Sequence, residues 1–233
     1  GIQTMWVGDP GQLPPIKSQA NGLLNKPTFQ LEEIHRQAAG NPIIQFAYAV
    51  RSGASLDSRY PGINYCVVRG KGPVCVASKM LDRGIDRLIV ATNAQRVALN
   101  TAYRGITSKS GVVSVGDEII CVMNNKYLGV INGEIFKVLD VLGGDAWSTY
   151  VRVLNIDTEE TRNLHLWNEQ FGQEKKLEDE IDQSFMLADY AYAITCHKFQ
   201  GSSARHVGIT ARGYTEDSTR WNYTAVTRAE EEL

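Results

Sequence analysis

Hydrophobic and polar positions follow two rhythms along this chain. In the first, short continuous apolar runs are followed by helical spacing. Ile2 to Val7 and Arg87 to Thr92 read as strands. Asn93 to Arg104 then reads as a helix with Val97, Ala98 and Leu99 near its core face. A strand followed by a helix implies a parallel sheet with crossover helices. Asn41 and Pro42, as N-cap and first helical residue, open a helix from Ile43 to Arg51 with Ile43, Ile44, Phe46, Ala47 and Val50 apolar. Ile63 to Val68, Val74 to Ala77 and Val207 to Thr210 read as short strands, and Trp221 to Glu232 as a helix-like segment.

The second rhythm is that of a small β unit. Val115 to Met123, Gly133 to Leu142 and Trp147 to Ile156 are β-like, with turns at Asn124-Asn125, Asn132-Gly133 and Gly143-Gly144. Short strands at this spacing predict a small barrel between two halves of an α/β domain. Lys175 to Asp182 is a charged connection whose acidic residues make it a poor surface for DNA.

Two stretches carry candidate chemistry. Asp189 to Ser203 joins an apolar run, Tyr190 to Ile194, to a polar cluster of Thr195, His197, Lys198, Gln200, Gly201 and Ser202. It predicts a buried strand that ends at a working loop or a helix start. Gly8 to Pro15 has two Gly and three Pro in eight residues, which forbids regular structure and holds Asp9 and Gln12 in fixed directions. Asn93 is placed both to cap its helix and to meet a phosphate at the helix N-terminus.

Composition narrows the classes. The 233 residues are 43% hydrophobic and 21% charged, with a net charge of −2. That balance suits a soluble globular chain and excludes a uniformly basic nucleic-acid binder, but leaves room for a local basic groove. No apolar run is long enough for a membrane span, and the first residues carry no signal-peptide pattern. Cys66, Cys75, Cys121 and Cys196 form no C-x-x-C pair, so the expectation is a reducing cytoplasm. The chain begins without Met, inside a predicted strand, as expected of a piece of a longer polypeptide.

Four segments resemble the motifs of superfamily 1 helicases of the RecD-like and Dda-like branch, in the family's order. Gly8-Asp-Pro-Gly-Gln-Leu-Pro-Pro15 resembles motif III, and Leu31-x-x-Ile34-x-Arg36-Gln37 motif IV. Asp189 to Ser203 resembles motif V, and Tyr223-x-Ala225-x-Thr227-Arg228-Ala229 motif VI. The run from Gly116-Asp117 through Asn124-Asn125 to Asn132-Gly133-Glu134 and Val138 is similar to the SH3-like subdomain inserted in such helicases.

The resemblance implies an α/β RecA-like second motor domain, residues 31–107 and 183–233, with an inserted SH3-like β-barrel and acidic linker at 108–182. Residues 1–30 would be the end of a first RecA-like domain. It implies ATP hydrolysis coupled to 5′-to-3′ movement on single-stranded DNA and to duplex unwinding. Gln12, Arg36 and Arg228 would act on the transferring phosphoryl group, since its charge must be neutralised across a domain interface. Asp9, Gln37, Gly201 and Ser202 would serve the nucleotide. Pro14, Pro15, Asn93, Arg96, Thr195, His197, Lys198 and Gln200 would meet DNA, with Asn124, Asn125, Lys126 and Asn132 as further backbone contacts.

No Gly-x-x-x-x-Gly-Lys-[Ser/Thr] loop is present in the sequence. The resemblance therefore implies that the P-loop and most Mg²⁺ contacts belong to the first motor domain, a partner within the same polypeptide. Other subunits of a recombination or replication complex are implied as further partners. Where the family often has Glu after Gly-Ser, this chain has Ser203, which leaves the ribose contact commonly given to that Glu unassigned. Two alternatives remain open: a helicase-derived nucleic-acid binding module without ATPase activity, and an interaction domain with a peptide groove at residues 115–170.

Overall fold

The structure is a computed structural model that describes residues 5, 7–14, 28–29, 40–56, 59–64, 72–177, 181–210 and 216–233. Most of the expected strand at Ile2 to Val7, the Leu31 to Gln37 motif, Pro15 and most of the Ile63 to Val68 strand lie outside these residues.

The first sheet is parallel throughout. Its strands are β1 (Arg87–Val90), β8 (Ala193–Thr195), β9 (Ala204–Ile209) and β10 (Ala229–Glu232), in the order β10-β9-β1-β8. Leu88 stands opposite Ala193 and Val90 opposite Thr195, so β1 and β8 end at the same level. The helices are α1 (Pro42–Arg51), α2 (Pro73–Asp82), α3 (Asn93–Ile106) and α4 (Glu216–Val226). β1 is buried at all four positions, as a central strand of a parallel sheet must be.

Local signals set most helix starts. The Asn41 side chain accepts from Ile43 N at 2.8 Å, and Pro42 begins α1, as its sequence predicts. At α3 the cap is Thr92, whose hydroxyl accepts from Gln95 N at 3.2 Å; Asn93 is the first helical residue instead of the cap. Val74 to Ala77 lies in α2, not in a strand. Pro73 opens that helix, and Ala77 and Met80 are its buried positions, the i, i+3 spacing of a helix. Trp221 to Glu232 is likewise not one helix: α4 ends at Val226, and Ala229–Glu232 pairs with β9.

The second sheet has the order β6-β5-β4-β3-β2-β7, with β2 (Glu118–Cys121), β3 (Ile135–Gly144), β4 (Ser148–Asn155), β5 (Thr161–Trp167), β6 (Phe185–Met186) and β7 (Ala188–Tyr190). All pairings are antiparallel except β5 with β6. Only Leu187 separates β6 from β7, so one run of chain lines both edges of the sheet. Its interior holds Ile119, Phe136, Val138, Val151, Val153, Leu164 and Leu166. β5 was not anticipated from the sequence.

The two sheets meet inside the stretch Asp189 to Ser203. Ala191 N donates to Glu118 O of β2 at 2.9 Å, and Leu88 N of β1 donates to Tyr192 O at 2.8 Å. The apolar run read as a single strand therefore divides into β7, in the antiparallel sheet, and β8, in the parallel one.

Candidate nucleotide and nucleic-acid site

The polar face of α3 holds that crossing in place. Its buried side chains are Arg96, Leu99, Asn100 and Arg104, whereas Ala98 is exposed and Val97 half-buried. Asn100 donates to Tyr190 O (3.0 Å) and Ala193 O (3.1 Å) and accepts from Ala193 N (2.7 Å), so one side chain clamps both sides of the break between β7 and β8. Arg104 donates to the Tyr190 hydroxyl (2.8 Å) and pairs with the fully buried Asp117, which also accepts from the Tyr192 hydroxyl (2.7 Å).

Arg96 pairs with buried Asp189 and donates to Gln173 O at 2.5 Å. Asp189 also accepts from Tyr190 N (2.7 Å) and Gly172 N (3.1 Å). Burial pushes its carboxyl above the usual carboxylate range, against the Arg96 charge and these two donors. This corrects the expectation for Arg96: its guanidinium is turned into the protein and committed there, not offered to a phosphate. Asn125 is corrected in the same way. It is buried, donates to Gln183 O and Phe185 O, and accepts from Leu128 N. Asn124, Lys126 and Asn132 are exposed.

Beyond β8 the chain turns instead of starting a regular helix. Phe199 N donates to Thr195 O (3.0 Å) and Ser202 N to Phe199 O (3.1 Å), with Gly201 at φ 96°. That positive φ is where glycine is needed. Cys196 and Phe199 point into the core, and burial pushes the Cys196 thiol up to about 12, which removes it as a nucleophile. Thr195, His197, Lys198 and Ser202 are half-exposed, and Gln200 and Gly201 exposed, beside the carboxyl ends of β1 and β8. Ligands of open parallel sheets sit outside the carboxyl ends of strands. Asn93 is exposed at the same edge. Burial pulls the Lys198 ammonium down to about 8.

Three segments that are distant in sequence meet here. Gln200 donates to Leu13 O at 3.1 Å, and Leu13 N donates to Thr224 Oγ1 of α4 at 3.0 Å. The Leu13 side chain packs with Ile194, Phe199 and Trp221. Asp9 accepts from the Tyr223 hydroxyl (2.7 Å) and Gly11 N (2.8 Å), and lies 3.6 Å from Arg51 of α1. Its carboxylate is thus engaged by protein groups. Gln12 is half-exposed between these anchors, and Pro14 is exposed.

Arg228 closes the arrangement. It donates to Thr224 O (3.1 Å), Ser202 O (3.0 Å) and Thr227 Oγ1 (3.0 Å). Among the described residues, all three of these acceptors are neutral. It lies at the end of α4 and braces the Thr195 to Ser203 turn, in place of a helical pairing with Glu231 or Glu232. Burial lowers its pKa from the ordinary arginine value. Ser203 donates to Glu230, so a carboxylate does stand beside that position. Arg36 and Gln37 lie outside the described residues. Arg51 was not singled out from the sequence; a lone Arg in the last turn of a helix carries no distinguishing pattern.

With this geometry in view, the comparisons agree on a class. Residues 190–233 match the family model of the UvrD-like helicase C-terminal domain. The solved structures of Pif1 helicase from Bacteroides in complex with ADP-AlF3 and single-stranded DNA, and of Pif1 helicase from Candida albicans, share the fold. The Bacteroides protein gives a TM-score of 0.54 at 17% identity, over 95% of this chain and 58% of that one. The Candida protein gives 0.51 at 16% identity, over 84% and 52%.

Among curated proteins, the ATP-dependent RecD2 DNA helicase of Deinococcus radiodurans is 26% identical over 256 aligned residues, which cover 98% of this chain and 32% of the relative. The chain thus spans about a third of that relative's length. These findings support the resemblance to the C-terminal half of superfamily 1 helicases, with a motor-domain fold of mixed α/β sheets.

Proposed function

We propose that this chain is the C-terminal motor half of an ATP-dependent DNA helicase of the RecD-like type, which moves 5′ to 3′ along single-stranded DNA. The observation that supports this reading is the junction of Gly8–Pro14, Thr195–Ser203 and α4 around Arg228. A half-buried guanidinium whose partners among the described residues are all neutral fits an anionic phosphoryl group, the charge-assisted partner that its planar fork suits best.

Hydrolysis of the terminal phosphoanhydride of ATP, bound with Mg²⁺ mainly by the first motor domain, supplies the free energy. In this reading Gln12, Arg36 and Arg228 stabilise charge on the transferring group. Asp9, Gln37, Gly201 and Ser202 line the nucleotide side without direct chemistry. Thr195, His197, Lys198, Gln200, Asn93, Pro14 and Pro15 face single-stranded DNA. The Gln200–Leu13 and Arg228–Ser202 hydrogen bonds join the two sides, so a shift at one is felt at the other. The antiparallel unit is the SH3-like insert of this motor.

The test uses the full-length polypeptide on duplexes with a 5′ or a 3′ single-stranded tail. Unwinding that needs ATP and the 5′ tail supports the reading. Binding to single strands without DNA-stimulated hydrolysis contradicts it and favours a binding module. The 233-residue chain alone, with no P-loop in its sequence, should hydrolyse no ATP; turnover by the pure chain would also contradict it.

A further inference from the structure

The contact between the Gly8–Pro14 loop and the rest of the protein has a second anchor, away from Arg228. Asp9, Arg51 and Tyr223 come from the loop, α1 and α4. The Tyr223 hydroxyl donates to Asp9 at 2.7 Å, Arg51 lies 3.6 Å from the same carboxylate, and the Arg51 guanidinium sits 5.6 Å from the Tyr223 ring centroid. A cation over an aromatic face and an ion pair to one carboxylate fix its orientation twice. The loop is closely fitted around this group. A Cβ on Gly11 would lie 3.1 Å from Arg51 Nε, 3.2 Å from Asp9 Oδ1 and 3.2 Å from the Tyr223 ring. The cleft beside it, about 300 Å³, is lined by Pro10, Gly11, Arg51, Thr219, Arg220 and Tyr223.

We infer that Arg51 is a positioning residue: through Asp9 it fixes the loop on α4 and so sets the direction of Gln12. The backbone carries this over a short distance, since Gln12 N donates to Asp9 O at 3.2 Å. Leu13, on the other side of Gln12, is held by Thr224 and Gln200. Gln12 therefore stands between a polar anchor and a largely apolar one. Because α1 supplies the polar anchor, a displacement of α1 reaches Gln12 without passing through Arg228. The effect on turnover rests on the helicase reading; the anchoring itself does not.

The experiment has two arms, both on the full-length polypeptide. In steady-state hydrolysis with saturating single-stranded DNA, Arg51→Gln lowers kcat about tenfold while the KM for ATP stays within about twofold, as for a misplaced group that does not bind substrate. Arg51→Lys keeps the charge and retains most of the rate. Asp9→Asn lowers kcat in the same way, and Asp9→Asn with Arg51→Gln costs little more than either single change, as for two residues acting through one contact. In hydrogen exchange, Arg51→Gln speeds exchange in the peptide holding Gly11 and Leu13, whose amides are bonded to Asp9 and Thr224. An unchanged kcat, or a double variant whose loss is the sum of the two single losses, overturns the positioning role; unchanged hydrogen exchange overturns the anchor. A wild-type polypeptide with no DNA-stimulated hydrolysis removes the helicase reading, while the exchange arm still decides the anchor.

Discussion

Replacing Arg96 with alanine separates a structural role from a DNA contact. The Arg96 side chain is 11% exposed, and that of its partner Asp189 1%. Truncation leaves a buried carboxylate whose remaining donors among the described residues are the Tyr190 and Gly172 amides. Removing one member of a buried ion pair costs about 3–5 kcal/mol, because an uncompensated charge stays behind. Total stability of a domain is only about 5–15 kcal/mol, so a large share is lost.

In urea, with a slope of about 2–3 kcal/mol per molar, the midpoint should fall by about 1–2.5 M. Asp189 is already pushed up by burial, and losing Arg96 pushes it further. A carboxyl whose folded pKa lies above its unfolded one favours the fold at low pH and loses that contribution as pH rises through the folded value. The deficit of Arg96→Ala should therefore be largest near neutral pH and shrink towards the carboxylate range. The double change Arg96→Met with Asp189→Leu should recover part of the loss: it removes the stranded charge but leaves the Tyr190 and Gly172 amides without that acceptor. A wild-type urea midpoint in Arg96→Ala, together with weaker binding to single-stranded DNA in the full-length polypeptide, would refute this reasoning.

Other substitutions probe neighbouring parts. Gly201→Ala forces a Cβ onto φ 96° and should cost about 1–3 kcal/mol in chemical denaturation, with looser packing of the 195–203 turn. Thr92→Ala removes the cap of α3 and should cost about 1 kcal/mol by the same measurement. If Lys198 meets a DNA phosphate as its ammonium, affinity for single strands should fall as pH rises through about 8, well below the usual lysine range. Salt titrations at pH 7 and 9 check this, and Lys198→Met should abolish the step.

The sequence made legible what depends on local rules or continuous patterns. Asn41-Pro42 announced α1, and the apolar residues between Arg87 and Thr92 announced a strand, which the structure has at Arg87–Val90. The motif resemblance implied that Gln12, Gly201, Ser202 and Arg228 serve one nucleotide; that Leu13 contacts Thr224 and Gln200, and Arg228 contacts Ser202, came from the structure. Features decided by tertiary partners were hidden. The inner face of α3 is polar, Arg96, Asn100 and Arg104, so an apolar-face rule chose Val97 and Ala98. The run Tyr190 to Ile194 is uniformly apolar, yet it serves two sheets; only the pairing of β2 and β1 on either side reveals the break. Ala229–Glu232 lacks a strand pattern and is drawn into the sheet by β9. Arg51 acquires its interest only from Asp9 and Tyr223, which lie far from it in sequence.

The central claim is that Arg228 serves the nucleotide and not the DNA. The direct measurement compares Arg228→Ala with wild type in the full-length polypeptide, following DNA-stimulated hydrolysis, unwinding and nucleotide-free binding to single-stranded DNA together. The account predicts that hydrolysis falls by about a hundredfold or more and unwinding is abolished, while affinity for DNA stays within about threefold. Retained hydrolysis with a selective loss of DNA binding would contradict it.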